Sequence, residues 1–164
     1  MSSVSVYSHT HSVTFVTDNI MKSFREIIRL SGLSPAKFVD NWQDYHRAIN
    51  AWLSSEHLIR VVLEIYHPRT DALIKRWDID IAYEWSNSDG SFYADVEQLR
   101  YAIRKAGIAP SEAEYSMILV HKPGAPAVHN WGAGSLRSTA GMNRQSLGST
   151  VDHNGLGASA AYWR

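Results

Sequence analysis

Residues 59–84 read IRVVLEIYHPRTDALIKRWDIDIAYE. Two runs of alternating character flank Pro68-Arg69-Thr70-Asp71, a cluster of turn formers. In the first run Ile59, Val61, Leu63 and Ile65 alternate with Arg60, Val62, Glu64 and Tyr66. In the second, Leu73, Lys75, Trp77, Ile79, Ile81 and Tyr83 share one side, and Arg76, Asp78, Asp80 and Glu84 share the other. Side chains alternate across a strand. The stretch therefore predicts an antiparallel hairpin, strand 58–66 and strand 72–84, with one covered face and one wet, charged face.

Toward the N-terminus, Val4, Val6, Val13 and Phe15 alternate loosely, which predicts a strand or extended arm over 4–16. Thr17 or Asp18 offers a cap for a helix carrying Ile20, Phe24, Ile27 and Ile28, stopped by Gly32. Ser34-Pro35 opens a second helix with Phe38, Trp42, Tyr45, Ile49 and Trp52 or Leu53 on one face. Two Trp and a Tyr on one stripe read more simply as core than as a ligand box, given their large apolar area. Beyond the hairpin, Asn87–Gly90 is a loop. A third helix carries Phe92, Val96, Leu99, Ile103 and Ala106, with Gly107 as its stop. Glu114–His121 reads as a last core strand, ended by Lys122-Pro123-Gly124. The class is α+β: a three-stranded antiparallel core sheet backed by three helices.

The chain has 164 residues, enough for one domain with a sizeable core, and its 16 basic and 16 acidic side chains cancel. No global field draws nucleic acid or an anionic membrane. There is no cysteine, which excludes disulfides, thiolate metal sites and cysteine nucleophiles. Met1–Ser12 is polar and lacks a signal-peptide pattern, and no apolar run approaches a membrane span, so a cytoplasmic location is expected.

Residues 124–164 differ in kind. They hold seven of the ten glycines and only four formal charges, on Arg137, Arg144, Asp152 and Arg164. Trp131, Leu136, Met142, Leu147, Val151 and Trp163 are scattered through them with weak periodicity. Such a segment is either a disordered tail or one that packs on the body yet can move, and composition leaves the two even. Because three helices and three strands precede it, truncation after Gly124 is expected to leave a folded core.

Several constellations could carry chemistry. His9 and His11 share a face if their segment is a strand, but no third or fourth metal ligand is identifiable, so solvated histidines are the simpler reading. Asp78 and Asp80 could do acid–base work, yet on a wet face beside Arg76 and Glu84 they read as a solvated charged surface. Gly132-Ala133-Gly134-Ser135-Leu136-Arg137 has two glycines in phosphate-loop style but lacks the third and any flanking βα unit. No G-x-S-x-G or H-E-x-x-H occurs. The residues imply no cofactor and no catalytic signature, and alone they leave the function open.

Four segments resemble a bacterial HORMA family: His11-Ser-Val-Thr-Phe-Val-Thr-Asp-Asn-Ile20; Arg25-Glu-Ile-Ile-Arg-Leu-Ser-Gly-Leu33; Val62-Leu-Glu-Ile-Tyr66 with Pro68-Arg-Thr-Asp71; and Leu136-Arg-Ser-Thr-Ala-Gly141 followed by Arg144, Gln145 and Ser146. The element order fits as well. The resemblance implies one HORMA domain over 1–164, with an N-terminal arm (1–16), a core (17–123) and a C-terminal safety belt (124–164) that is packed and movable. It implies a non-enzymatic adaptor of CBASS anti-phage operons. The belt closes around a closure-motif peptide, and the closed protein binds and activates a cGAS/DncV-like nucleotidyltransferase (CD-NTase). An AAA+ ATPase that grips the N-terminal end resets it. The peptide is expected beside Tyr115, Met117, Leu119 and His121, under a belt that contributes Leu136, Arg137, Ser138 and Arg144. Four alternatives stand beside this, one of them a eukaryotic-style scaffold with no enzyme partner. The chain could be an accessory that regulates a second HORMA protein. It could supply a closure motif from its aromatic end, Ala161-Tyr-Trp-Arg164. It could be a metal- or carboxylate-dependent enzyme using His9, His11, Asp78 or Asp80.

Overall fold

The computed structural model describes residues 6–85, 92–129, 131 and 134–164, without the side chains of 6–8 and 92. Val4, the Asn87–Gly90 loop and Gly132-Ala133 of the glycine-rich hexapeptide therefore lie outside the described residues. Ten elements follow in order: α1 (Val6–Leu30), α2 (Ala36–Asp40), α3 (Trp42–Ser54), β1 (Leu58–Tyr66), β2 (Leu73–Tyr83), β3 (Phe92–Ala94), α4 (Val96–Ala106), β4 (Glu114–His121), β5 (Arg144–His153) and β6 (Leu156–Trp163).

The hairpin and the last core strand lie where their alternation placed them. β1 pairs antiparallel with β2 on one side and with β4 on the other, and Val61, Leu63, Ile65, Trp77, Ile79, Tyr115, Met117 and Leu119 join one buried cluster. These side chains face the helices. The second helix is nearly continuous. Only Asn41 leaves helical geometry (φ −103°, ψ 13°), and Tyr45 N still donates to Asn41 O at 3.1 Å. The third helix starts later than its apolar stripe suggested. Asp95 caps it by accepting from Gln98 N at 2.9 Å, which leaves 92–94 to form the short strand β3.

Two expectations need correction. Residues 6–16 are not an extended arm. They are the first turns of a 25-residue helix, and Thr17 and Asp18 sit within it rather than at its start. Val13, Val16, Ile20, Met21, Phe24, Ile27 and Ile28 recur at helical spacing and are buried. The low helix propensity of the β-branched residues is a few tenths of a kcal/mol each, roughly 0.7 at most. Burying a Val or Ile side chain contributes about 1.5–3 kcal/mol, so the stripe wins.

The second correction concerns residues 124–164. β5 and β6 form a hairpin that adds to β2, and β3 adds to β5, giving a six-stranded sheet in the order β3-β5-β6-β2-β1-β4. Leu156, Ala158, Ala160 and Tyr162 bury their side chains in the main core. Removing everything after Gly124 would take β5 and β6, two of the six strands, from beneath α1 and leave β3 without its partner, so the core is not complete before Gly124. The C-terminal Ala161-Tyr162 is buried in β6 rather than offered as a free aromatic end.

Among the described residues, no helix is long and apolar enough to cross a membrane.

Candidate functional site

The far face of the sheet, opposite the helices, is not the wet surface its charges suggested. Glu64 and Asp78 are buried, and so is Arg76. Arg76 Nε donates to Asp78 Oδ1 at 2.7 Å, Trp163 Nε1 donates to Asp78 Oδ2 at 3.1 Å, and the Arg76 guanidinium lies over the Trp163 ring. Asp80 is half-exposed and pairs with Arg60, its cross-strand neighbour, and with Arg144 at 3.6 Å. Each aspartate is thus committed to an arginine, which leaves no carboxylate pair poised for acid–base work. His9 and His11 lie two apart on a helix, about 200° around its axis, and His9 stacks on Trp85 at 4.8 Å. The helix separates them onto different faces, so they do not form a metal pair.

What covers the far face is the chain itself. Leaving β4, the segment 122–143 is tied first to the helix side: Lys122 N donates to His57 O at 2.8 Å and Trp52 Nε1 to Pro126 O at 2.7 Å. Trp131 packs edge-on against Tyr45 of α3 at 5.5 Å. By Gly134 the chain has reached the other side, where a Cβ on that residue would lie 3.5 Å from Ile118 of β4. Arg137 then locks it down. Its main-chain N–H donates to Glu64 Oε2 and its Nη1 to Glu64 Oε1, both at 2.7 Å. Nη2 reaches Asp71 at 2.8 Å, and the guanidinium sits 3.6 Å above the Tyr66 ring. Burial works against the charge of Arg137, but its bonds to Asp71 and Glu64 outweigh it and hold its pKa raised. Asn143 and Arg164 exchange two main-chain bonds, which closes the segment onto the β5–β6 hairpin. Trp131 thus lies on the helix side of β4, and Gly134 on the other.

The side of β4 away from β1 is an open edge. β4 has β1 on one side and no described strand on the other. In an antiparallel strand the N–H and C=O of one residue point the same way and alternate along the chain. Tyr115 O accepts from Lys37 Nζ at 3.0 Å, away from β1, so Tyr115, Met117, Leu119 and His121 aim their main chain outward. The side chains of Tyr115, Met117 and Leu119 point into the core. What those residues offer is backbone, not side-chain pockets. His121 packs on Trp52 at 4.4 Å. On the segment Leu136 is exposed, Ser138 Oγ accepts from Ala140 N, and Arg137 holds the far face, as does Arg144 at the start of β5. Burial pushes the phenols of Tyr45 and Tyr115 up, so both stay protonated beneath this edge. Glu64, Tyr66 and Lys37 complete the arrangement and were not among the expected site residues.

An antiparallel sheet whose last core strand is an edge bridged by the chain's own C-terminal segment is a HORMA fold. Chains of this shape occur in a crystal structure of the Mitotic Checkpoint Complex (TM-score 0.75, 9% identity, 92% of this chain and 97% of that one). Another is C. elegans HTP-1 bound to the HIM-3 closure motif (0.64, 13%, 90% and 87%). A third is in the E. coli MS115-1 CdnC:HORMA-deltaN complex (0.57, 10%, 100% and 92%). No curated protein sequence matches. The chain belongs to the bacterial HORMA domain 2 family, whose model matches residues 1–164.

Proposed function

We propose that this chain is a peptide-binding adaptor. An extended partner segment pairs with the outward main chain of β4, and residues 122–143 act as the belt that encloses it. The observation that carries this reading is the open edge of β4, beside a segment anchored on both faces of the sheet. Strand addition satisfies unpaired amides and carbonyls. Net main-chain bonds of about 1 kcal/mol each and one or two apolar anchors of about 2 kcal/mol reach micromolar affinity, roughly 8 kcal/mol. The solved HTP-1 structure with a closure motif supports the mode of binding.

The loaded protein then docks on and activates a cGAS/DncV-like nucleotidyltransferase in cytoplasmic anti-phage defence, and an AAA+ ATPase working from the N-terminal end of α1 reopens the belt. The E. coli complex of CdnC with a HORMA chain supports that partner class. The reading assigns this chain no catalytic step, metal or cofactor. Its site residues are the main chain of Tyr115, Met117, Leu119 and His121, with Leu136, Arg137 and Ser138 on the belt and Arg144 next to it at the start of β5.

Hydrogen exchange with peptides selected from a phage-displayed random library tests the mode. The amides of Met117, Leu119 and His121 should become protected when peptide is added. Protection elsewhere, with the edge unchanged, refutes strand addition. Mixing loaded chain with a nucleotidyltransferase of the CdnC type should give a complex and cyclic oligonucleotide synthesis. Neither appearing refutes the partner.

A further inference from the structure

We propose that Lys37 is the end stop and charge reader of the β4 edge: a strand added there stops at Met117 and sets a carboxylate against the Lys37 ammonium. The proposal rests on the peptide-binding reading above. Lys37 Nζ already donates to Tyr115 O at 3.0 Å. That carbonyl is the next outward acceptor along the edge, so an incoming backbone cannot use it without displacing a charged donor. A lysine at an open edge is a known way to stop strand addition. Here it closes one end and leaves 117–121 free.

The placement is built rather than incidental. Phe38, the next residue, is buried in the core, and its N–H donates to the Tyr115 hydroxyl at 3.1 Å. The same hydroxyl donates to Ser34 O at 2.8 Å, which pins the lead-in and the middle of the short helix to the strand. The ammonium lies 5.6 Å from the centre of the Tyr115 ring. Among the described residues, no Asp or Glu oxygen is within ion-pair distance of Lys37. The nearby Glu114 carboxylate instead receives the Tyr66 hydroxyl at 3.4 Å. A cleft of about 390 Å³ opens beside Lys37, lined also by Ser34, Ser111 and the carboxylate-bearing Glu114.

An ammonium has three donors, and the carbonyl uses one. Among the described residues no second acceptor engages the ammonium, which leaves the other two donors for an incoming strand. Charge-assisted bonds there favour a carboxylate and repel a peptide amino-terminus, Lys or Arg. An Asp or Glu side chain suits either strand direction. A free C-terminal carboxylate reaches Lys37 only from a peptide antiparallel to β4, whose end lies at the Tyr115 side.

The test uses the full chain with Lys37→Met and Lys37→Glu, exposed substitutions whose folding is checked by an unchanged melting temperature. Each protein selects from two phage-displayed random dodecapeptide libraries, one with free C-termini and one fused through its C-terminus. The wild type should enrich an acid at one fixed position, or a bare C-terminus in the first library only. Those peptides should bind Lys37→Met about tenfold more weakly, and Lys37→Glu should enrich Lys or Arg at that position. Enriched peptides without a fixed carboxylate, or equal affinity for Lys37→Met, overturn this proposal and leave peptide binding standing. No enrichment by the wild type overturns both.

Discussion

A carboxylate with no exposed surface must be matched by donors. For Glu64 the side-chain and main-chain donors both come from Arg137, 73 residues away in sequence. Removing one member of a buried pair costs far more than a surface pair contributes, because the survivor remains charged in a poor solvent. Arg137→Ala should lower unfolding stability by about 3 kcal/mol and should speed amide exchange selectively in 134–143. A uniform change across the sheet, or none, would contradict the latch. Arg137→Lys should recover only part, since an ammonium cannot match the guanidinium fork. Arg137 was an expected site residue through its likeness to HORMA sequences, but its partner was not. Alternation places Glu64 on the far face of β1 and says nothing about whether a distant segment will cover that face. The same blindness applied to Asp78, which reads as solvated until Trp163 and Arg76 are seen to close over it.

Among elements, the legible ones bury a regular stripe on one side. β1, β2 and β4 lie within a residue or two of their expected positions, and so do the two ends of the helix expected from Ser34-Pro35, which Asn41 divides in two. β5 was not legible, because register shifts at Ser146/Gly148 and Ser149/Val151 break its alternation. β6 was obscured by its small residues, although Leu156, Ala158, Ala160 and Tyr162 do alternate inward. The missed signal was Asn154-Gly155, with φ of 55° and 87°, the two-residue turn that suits a hairpin. Gly155 is also pressed on Glu84, whose carbonyl oxygen would lie 1.7 Å from an added Cβ. Gly155→Ala should therefore cost at least 2 kcal/mol, roughly the strain of a positive φ plus a displaced backbone. Denaturant unfolding would show it, and an unchanged midpoint would mean that the turn is not held against β2. Between helices, Glu26 of α1 accepts from Arg29 and from Arg100 of α4. The Arg29 bond, aided by Arg100, holds the Glu26 carboxyl below its usual range. A depressed carboxyl stabilises the fold above the unfolded-state value, about pH 4.3, and that contribution is lost as pH falls through the folded one. Glu26→Gln should flatten the stability curve below pH 4.3 and leave its neutral shape alone. An unaltered acid limb would remove this pair from the account.

At the scale of the molecule, the segment after β4 forms a closed circuit: anchored at Trp52 and Tyr45 on the helix side, at Glu64 on the other, and sewn into the sheet through β5 and β6. With no native cysteine, Gly134→Cys with Ile118→Cys gives an unambiguous lock, since the position of a Cβ at 134 abuts the side chain at 118. Oxidised, the variant should neither load nor release the selected peptides on the time scale of the reduced form. Equal exchange in both forms would show that the segment does not move for binding.

The circuit has a kinetic meaning that contact energies do not convey. A thread held inside a ring, as in a rotaxane, leaves only if the ring breaks or if its own end is slim enough to slip through. Dwell time is then set by the bulk at the thread's ends and by the ring's weakest fastening. Two peptides of equal affinity, one finished with a small residue and one continuing into a folded domain, should part from this protein at very different rates.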